Sequence, residues 1–353
     1  MRRLLLTGLL LWQATVFASD QNENLQSAID KLLIQNHTPG AVVLMGKAND
    51  ENVVYTAGLA NIATKVPVSP TQPFRIASMS KTFLAVTVLK LVESGVIDLD
   101  APAKNYFPDS IKVSHLPNGS TVTVRQLLQM HSGIPNYTEY DAYAKEIAKG
   151  TQIWTPEKCF GYIYDQKPNA KPGAEYEYSN TNFLLLQRIV EHVTKQPFAI
   201  SLKHHIFDPL NLKSTYVENP NQRQASFTTH GYSEEGGQLS DVSTVNDGFG
   251  LADGGIITTA QDLNAFIQAL LRKKNLISET ALKQMLATQD TYGLGIFATK
   301  VGDQLALSHS GTASGFSGQY YYFPKTQISL IILTNLESSD AIDGIAEVVL
   351  DNA

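Results

Sequence analysis

One stretch limits the fold of this chain more than any other. From Phe83 to Val92 it reads Phe-Leu-Ala-Val-Thr-Val-Leu-Lys-Leu-Val. Apolar residues fall on nearly every side of the helix this run predicts, so the helix must be buried in a core. Gly95 supplies a natural C-terminal stop. At the other end stands Ser78-Met79-Ser80-Lys81. The three-residue spacing places the Ser78 hydroxyl and the Lys81 amine on one helix face, within touching distance. The helix N-terminus adds positive potential and free N–H groups there. A lysine held in such a place can lose its proton and act as base to the serine. A chain with this many serines and lysines holds about one Ser-x-x-Lys by chance. The tetrad therefore gains meaning from the apolar helix that follows it and from two motifs further on.

Composition sets the outer bounds. A chain of 353 residues is long enough for two lobes, because single cores stop growing near ~250–300 residues. With 43% hydrophobic and 17% charged residues it is an ordinary globular chain. A net charge of −6 leaves no electrostatic footprint for nucleic acid. Met1–Ala18 differs from the rest. Arg2 and Arg3 precede a leucine-rich run that ends in Val16-Phe17-Ala18, a small-residue cleavage pattern, and polar residues follow at once. The run is too short for a good membrane span. It predicts a secretory signal peptide cut after Ala18, hence a secreted or periplasmic protein; an uncleaved anchor is the alternative. Cys159 is the only cysteine, so no internal disulfide forms.

Taken in order, residues 24–35 carry a helical period. Ala41–Gly46 and Val53–Gly58 predict a hairpin, and Val66–Pro73 a proline-punctuated loop. After Gly95 the chain reads as helices joined by irregular loops to about Asn246. Val124–Met130, Thr181–Thr194 and Phe198–Ile206 are the helices, and Pro156, Pro168, Pro172, Pro209 and Pro220 mark loops. Thr259–Arg272 predicts a capped helix. Tyr292–Thr299, Gln304–His309, Phe316–Phe323 and Gln327–Thr334 predict strands, and Ala341–Leu350 a closing helix. Short strands met by short turns imply an antiparallel sheet. The expected architecture is α/β (α+β), with an α/β lobe from residues 19–75 and 247–353 and a mostly helical lobe from 76–246.

The second motif is Tyr178-Ser179-Asn180, on a loop before a helix. A tyrosine near a lysine can relay a proton. An asparagine amide can bond a substrate carbonyl or the lysine. By itself the motif is better explained as a core tyrosine and a helix cap. The third is His309-Ser310-Gly311-Thr312, at a strand end. Gly311 would let a substrate backbone lie close, and an open strand edge there can pair with a peptide. His309 adds a titratable donor; by itself it is better explained as a satisfied strand-end histidine.

As an ordered set these residues resemble the three motifs of the penicillin-recognising serine hydrolases. The branch is the one with class C β-lactamases, secreted D-alanyl-D-alanine carboxypeptidases, D-aminopeptidases and related esterases. Leu127–Pro135, Pro172–Asn182, Ala252–Asp262 and Phe316–Asn335 extend the resemblance. It implies a β-lactamase/transpeptidase-like antiparallel sheet flanked by helices, with a mostly helical second lobe. It also implies that Ser78 is the acylated nucleophile, Lys81 its proton acceptor and Tyr178 a second acid/base. Asn180 would contact substrate and lysine, and the backbone N–H groups of Ser78 and Thr312 would form an oxyanion hole. His309 and Gly311 would lie against substrate. Where class C β-lactamases carry Lys-Thr-Gly this chain has His309-Ser310-Gly311, which favours the peptidase or esterase side. Protonated, His309 would clamp a substrate carboxylate, the favoured role; neutral, it would donate one hydrogen bond into the Tyr178 network.

The expected activity is that of a D-alanyl-D-alanine carboxypeptidase-like peptidase. A small-acyl esterase, a β-lactamase-like hydrolase and a penicillin-binding sensor without turnover are the alternatives. The expected partner is a small-molecule or peptide substrate, with no cofactor, no metal, no nucleic acid and no stable membrane span; the sequence does not specify an oligomeric state. Gly293-Leu294-Gly295 lacks the helix and distant acid of a dinucleotide site. Gly315-Phe316-Ser317-Gly318-Gln319 lacks the final glycine of a nucleophile elbow. His204-His205 are adjacent rather than helically spaced.

Overall fold

The computed structural model describes residues 23–150, 153–219 and 227–352. Met1–Ala18, the expected signal peptide, lies outside the described residues. Helix α1 (residues 23–35) leads into strands β1 (Gly40–Gly46) and β2 (Asn52–Asn61), which pair antiparallel as the hairpin the sequence predicts. Two short strands occupy the stretch expected to be loop, β3 (Val66–Pro67) against β2 and β4 (Pro73–Arg75) beyond it. A 3-10 turn at Ala77–Met79 then opens α2 (Ser80–Glu93), the buried helix. Gly95, at φ 73, accommodates its exit.

The middle of the chain carries α3 (Val124–Leu128), α4 (Asp141–Ile147), α5 (Pro156–Ile163), α6 (Asn180–Thr194) and α7 (Phe198–Leu202). Pro156 differs from its expected loop role. It is the first residue of α5, behind a Thr155 cap whose hydroxyl accepts from Lys158 N, because proline's missing N–H costs nothing at that position. The expected run of helices is also broken by β5 (Tyr216–Val217) and by a hairpin, β6 (Tyr232–Glu235) with β7 (Gln238–Asp241), turned on Gly236 and Gly237. Strand β8 (Ile256–Thr259), α8 (Ala260–Ile267) and α9 (Glu279–Leu286) follow. The chain then forms β9 (Phe297–Val301), β10 (Gln304–Ala313), β11 (Phe316–Phe323), β12 (Ile328–Thr334) and α10 (Ala341–Asp351).

The principal sheet has the order β3-β2-β1-β12-β11-β10-β9, and every pairing in it is antiparallel. The N-terminal hairpin thus finds its partner in β12, near the other end of the chain. Alternation of side chains gives the sheet two apolar faces. Val43, Met45, Ala306, Tyr321 and Ile332 face α1 and α10 in one core. Val42, Leu44, Leu307, Tyr320 and Leu333 join α2 and the helices of the middle segment in a larger one. A second, small sheet of order β4-β8-β5 sits within the larger core, and it is the element that carries the site.

The two cores lie on opposite sheet faces, so damage to one need not reach the other. Ile345 of α10 is fully buried in the core away from β4 and β8. Ile345→Ala should cost about 2–5 kcal/mol in urea unfolding, while the folded variant keeps the wild-type rate of covalent labelling by a serine-directed reagent.

Candidate active site

Strand pairing assembles the site. In the small sheet Arg75 lies opposite Ile257, and Ile76 N donates to Ile256 O at 3.1 Å. Extending that antiparallel register sets the Ala77–Ser78 turn against Gly254 and the loop that follows Leu251. From the other side comes β10, where a Cβ on Gly311 would stand 2.3 Å from Ile76 O and 3.0 Å from Ser78 N. What Gly311 admits is therefore the backbone of this chain's own serine turn, not the substrate backbone expected from the sequence. Ala77, between these neighbours, holds φ 46, a conformation that costs a non-glycine residue about 1–3 kcal/mol.

Lys81 emerges from the first turn of α2 and is fully buried. Its Nζ lies 2.8 Å from Ser78 Oγ, 2.7 Å from Asn180 Oδ1 and 2.6 Å from the backbone O of Asp253. The last two are pure acceptors. As an ammonium Lys81 donates to all three; as a neutral amine it has two N–H groups and one lone pair, so the bonds to Asn180 and Asp253 use both hydrogens and the lone pair faces the serine hydroxyl. Burial pushes the amine down to about 7, against the opposing pull of the Asp253 carboxylate. The Tyr178 ring stands 5.1 Å from Nζ, and its phenol hydrogen-bonds Ser78; burial raises that phenol well above its ordinary value. The first two motifs thus meet: Lys81 and Tyr178 both bond Ser78, and Asn180 holds Lys81.

Asn180 is the first residue of α6, whose N-terminus is anchored by Ser179 Oγ and Thr181 Oγ1, both donating to Pro135 O. Ser132 Oγ in turn donates to Asn182 Oδ1. The His131–Pro135 break, which the sequence shows only as a helix stop, is the bracket that fixes the Tyr178–Asn180 loop.

His309 sits differently from the carboxylate clamp favoured from the sequence. It is 1% exposed, under the rings of Tyr292 and Phe297. Ser310 O can only accept, so Nδ1 carries a proton and donates to it at 2.7 Å. Nε2 then accepts from the Tyr292 hydroxyl at 3.1 Å. Burial and the nearby Lys81 push the ring down to about 3, so it is neutral. A neutral, enclosed imidazole clamps no carboxylate, and its partner is Tyr292 rather than Tyr178. Thr312, by contrast, is exposed on the cleft. A two-residue turn closes β10–β11 on the Ala313/Phe316 pair; alternation of hydrogen-bonded and open pairs then turns the Thr312 N–H away from β11. On that side β9 pairing ends at Ser308, leaving an open edge toward Ser78.

Ser78, Asn180 and Thr312 line a cleft of about 420 Å³. Several of its walls were not read as site residues. Asp253 is 7% exposed, and its Oδ2 accepts from the Tyr137 hydroxyl at 2.8 Å. Arg75 makes a two-pronged ion pair with Glu218, both bonds 2.9 Å, beneath the Phe249 ring. Asp247 accepts from Ser314 N, and its backbone O from Tyr143. The sequence signal for Asp253 was a carboxylate set between Ala252 and Gly254-Gly255 beside an apolar strand. Cys159 is buried in the core and its thiol is raised by burial. Among the described residues no cluster of His, Cys, Asp and Glu could hold a metal, and no helix is long and apolar enough to cross a membrane.

An antiparallel sheet flanked by helices, with Ser-x-x-Lys at the start of a buried helix, defines the β-lactamase/transpeptidase class of serine hydrolases. The chain belongs to the beta-lactamase family, whose profile matches residues 25–351. Protein flp of Staphylococcus aureus (strain MW2) is 28% identical over 333 residues, which cover 91% of this chain and 64% of that protein. The chain therefore spans less than two thirds of this curated relative. A D-stereospecific amidohydrolase from Streptomyces sp. superposes with a TM-score of 0.81 at 29% identity, covering 93% of this chain and 96% of the other. The D-amino acid amidase from Ochrobactrum anthropi SV3, solved with L-phenylalanine, shares the fold with a TM-score of 0.80 at 24% identity, over 94% and 98% of the two chains.

A lysine whose proton affinity falls on folding makes stability depend on pH. Between about 7 and 10.5 the unfolded chain binds a proton that the folded one does not, so stability rises with pH across that window. It is fully gained above the unfolded value and lost as pH falls through the folded one. Measured against Lys81→Met by urea unfolding, the wild type should gain on the order of a few kcal/mol across the window. A pH-independent difference would contradict the neutral amine.

Proposed function

We propose that this chain is an exported serine hydrolase that cleaves amide bonds of D-amino acid derivatives through an acyl-enzyme on Ser78. The observation that carries the reading is the buried Lys81 Nζ, 2.8 Å from Ser78 Oγ and held by Asn180 Oδ1 and Asp253 O, which in its neutral form turns its lone pair to the serine. As Oγ bonds to the substrate carbonyl carbon, its proton passes to Lys81. The carbonyl oxygen takes the negative charge against the N–H groups of Ser78 and Thr312, a contribution of about 3–4 kcal/mol in such sites. When the C–N bond breaks, the proton reaches the leaving nitrogen from Lys81 or through the Tyr178 hydroxyl. Water then attacks the ester, its proton returns along the same route, and Ser78 recovers its hydroxyl. Tyr178 enters as a neutral donor and relay, because burial keeps its phenol protonated. Export is read from Met1–Ala18 alone.

The cleft's charge supports an amidase or aminopeptidase over the carboxypeptidase expected from the sequence. A carboxypeptidase must hold a terminal carboxylate. Here Arg75, the one cation among the described cleft residues, is bound to Glu218, and Asp247, Asp253 and Glu337 share the walls. The carboxypeptidase reading keeps one observation of its own: Arg75 Nη1 is buried without an acceptor.

A panel of D-amino acid amides, their L-isomers, D-Ala-D-Ala peptides, nitrocefin and p-nitrophenyl esters tests this. The D-amides should turn over with the highest kcat/KM, and Ser78→Ala should lose at least about a thousandfold on every active substrate. A preference for carboxylate-terminated peptides would favour the second reading. Stoichiometric acylation with no turnover on any substrate would make the protein a sensor, and activity retained in Ser78→Ala would end the proposal.

A further inference from the structure

Asp253 belongs to none of the three motifs, yet its backbone touches Lys81 and its buried carboxylate lies on the same residue. Its backbone O takes one of the Lys81 hydrogens at 2.6 Å. Its side chain, 7% exposed, turns toward Tyr137, whose hydroxyl donates to Oδ2 at 2.8 Å. Tyr137 is itself 1% exposed and packs edge-on against Tyr143. Among the described residues no arginine, histidine or second lysine pairs with this carboxylate, and the basic group that acts on it is Lys81. The loop that carries it is held on both sides: Ala252 N donates to Gln187 Oε1, and Gly255 N to Leu251 O. A carboxylate is expensive to bury without a purpose, and packing alone would be served by an apolar residue.

We propose that Asp253 is a positioning residue for the Ser78–Lys81 pair: its carbonyl fixes the amine, and its carboxylate stabilises the ammonium that forms when Lys81 takes the serine proton. The inference rests on the acyl-enzyme reading above. The proton that moves is the one Ser78 releases. Before transfer the pair is neutral beside one negative charge; after transfer a cation stands beside it, and the attraction appears only then. Such a charge lowers the barrier to acylation and also raises the proton affinity of the resting amine.

Other titratable groups facing the pair do not supply this charge. Tyr178 and His309 are neutral, for the reasons given above. Burial raises the Asp253 carboxyl and Asp247 adds to that, while Lys81 and the Tyr137 hydroxyl favour its ionised form; Tyr137, Tyr143 and Cys159 around it are all raised by burial.

The two effects have opposite signatures in a pH profile, and that separates a tuning role from a structural one. The experiment measures the second-order rate of labelling by an uncharged fluorophosphonate, from mildly acid to mildly alkaline solution, for wild type, Asp253→Asn and Asp253→Glu. Asp253→Asn should lower the alkaline plateau about tenfold and move the acid limb about one unit toward lower pH. Asp253→Glu keeps the charge and should hold the limb near its wild-type position. If Asp253→Asn does not fold, Asp253→Ser carries the same comparison. A lowered plateau with an unmoved limb would overturn the proposal and leave Asp253 a packing residue. Failure of the underlying reading looks different: the wild type would then show no acid limb, or no label on Ser78.

Discussion

The structure depends on keeping an amine dry beside a hydroxyl. Burying a charged ammonium costs several kcal/mol even after a protein relaxes around it, so Lys81 can stay inside only as a neutral group or with its donors fully used. Asn180 Oδ1 and Asp253 O meet that demand from two separate segments. The small sheet, the bracket at Pro135 and the close approach of Gly311 bring those acceptors and Ser78 to one point. Each of these features weakens local stability. Ala77 adopts a left-handed backbone, Lys81 is desolvated, and Arg75 Nη1 goes unbonded. The two large cores on either face of the principal sheet offset such local losses.

Charge around the cleft follows from how its loops are hung. The segment bearing Asp247 and Phe249 is tied by Tyr143, which donates to Asp247 O, and by Trp154, which donates to Asn246 O. Asp247 and Glu337 accept from Ser314 N and Gly315 N at the β10–β11 turn, and among the described residues no lysine or arginine forms an ion pair with either. The turn beside the Thr312 N–H thus carries negative charge on its rim. An acyl group with a neutral or positive end suits such a rim better than one ending in a carboxylate. The substrate reading therefore comes from aromatic anchors outside the motifs as much as from the motifs themselves.

Much of this was legible in order of sequence. The buried helix, the N-terminal hairpin, strands β10 to β12 and α10 are strongly periodic, and Ser78, Lys81, Tyr178 and Asn180 were placed by spacing and by the resemblance. Other features were hidden for definite physical reasons. The β6–β7 hairpin offers no apolar alternation, since Gln238–Asp241 is exposed throughout, although Gly236-Gly237 marked its turn. Pro156 looked like a breaker because a proline in isolation does not say whether it ends a loop or begins a helix. The α9 helix announced itself only by a Ser278 cap and three buried residues. His309 was misread because its environment is made by Tyr292, from a turn the sequence shows only as strand, and by Phe297 at the start of β9. Asp253 was passed over because its meaning lies in Lys81, 172 residues away.

The account stands on Lys81 giving up its proton near neutral pH, far below an ordinary lysine. Nuclear magnetic resonance of the lysine side chains, with carbon-13 at Cε and Lys81→Met to assign the signal, reads that protonation directly. The account predicts one resonance titrating near 7 while ordinary lysines titrate near 10.5, and its disappearance in the variant. A Lys81 signal that titrates with the ordinary lysines would contradict it, because a charged Nζ has no lone pair to take the serine's proton.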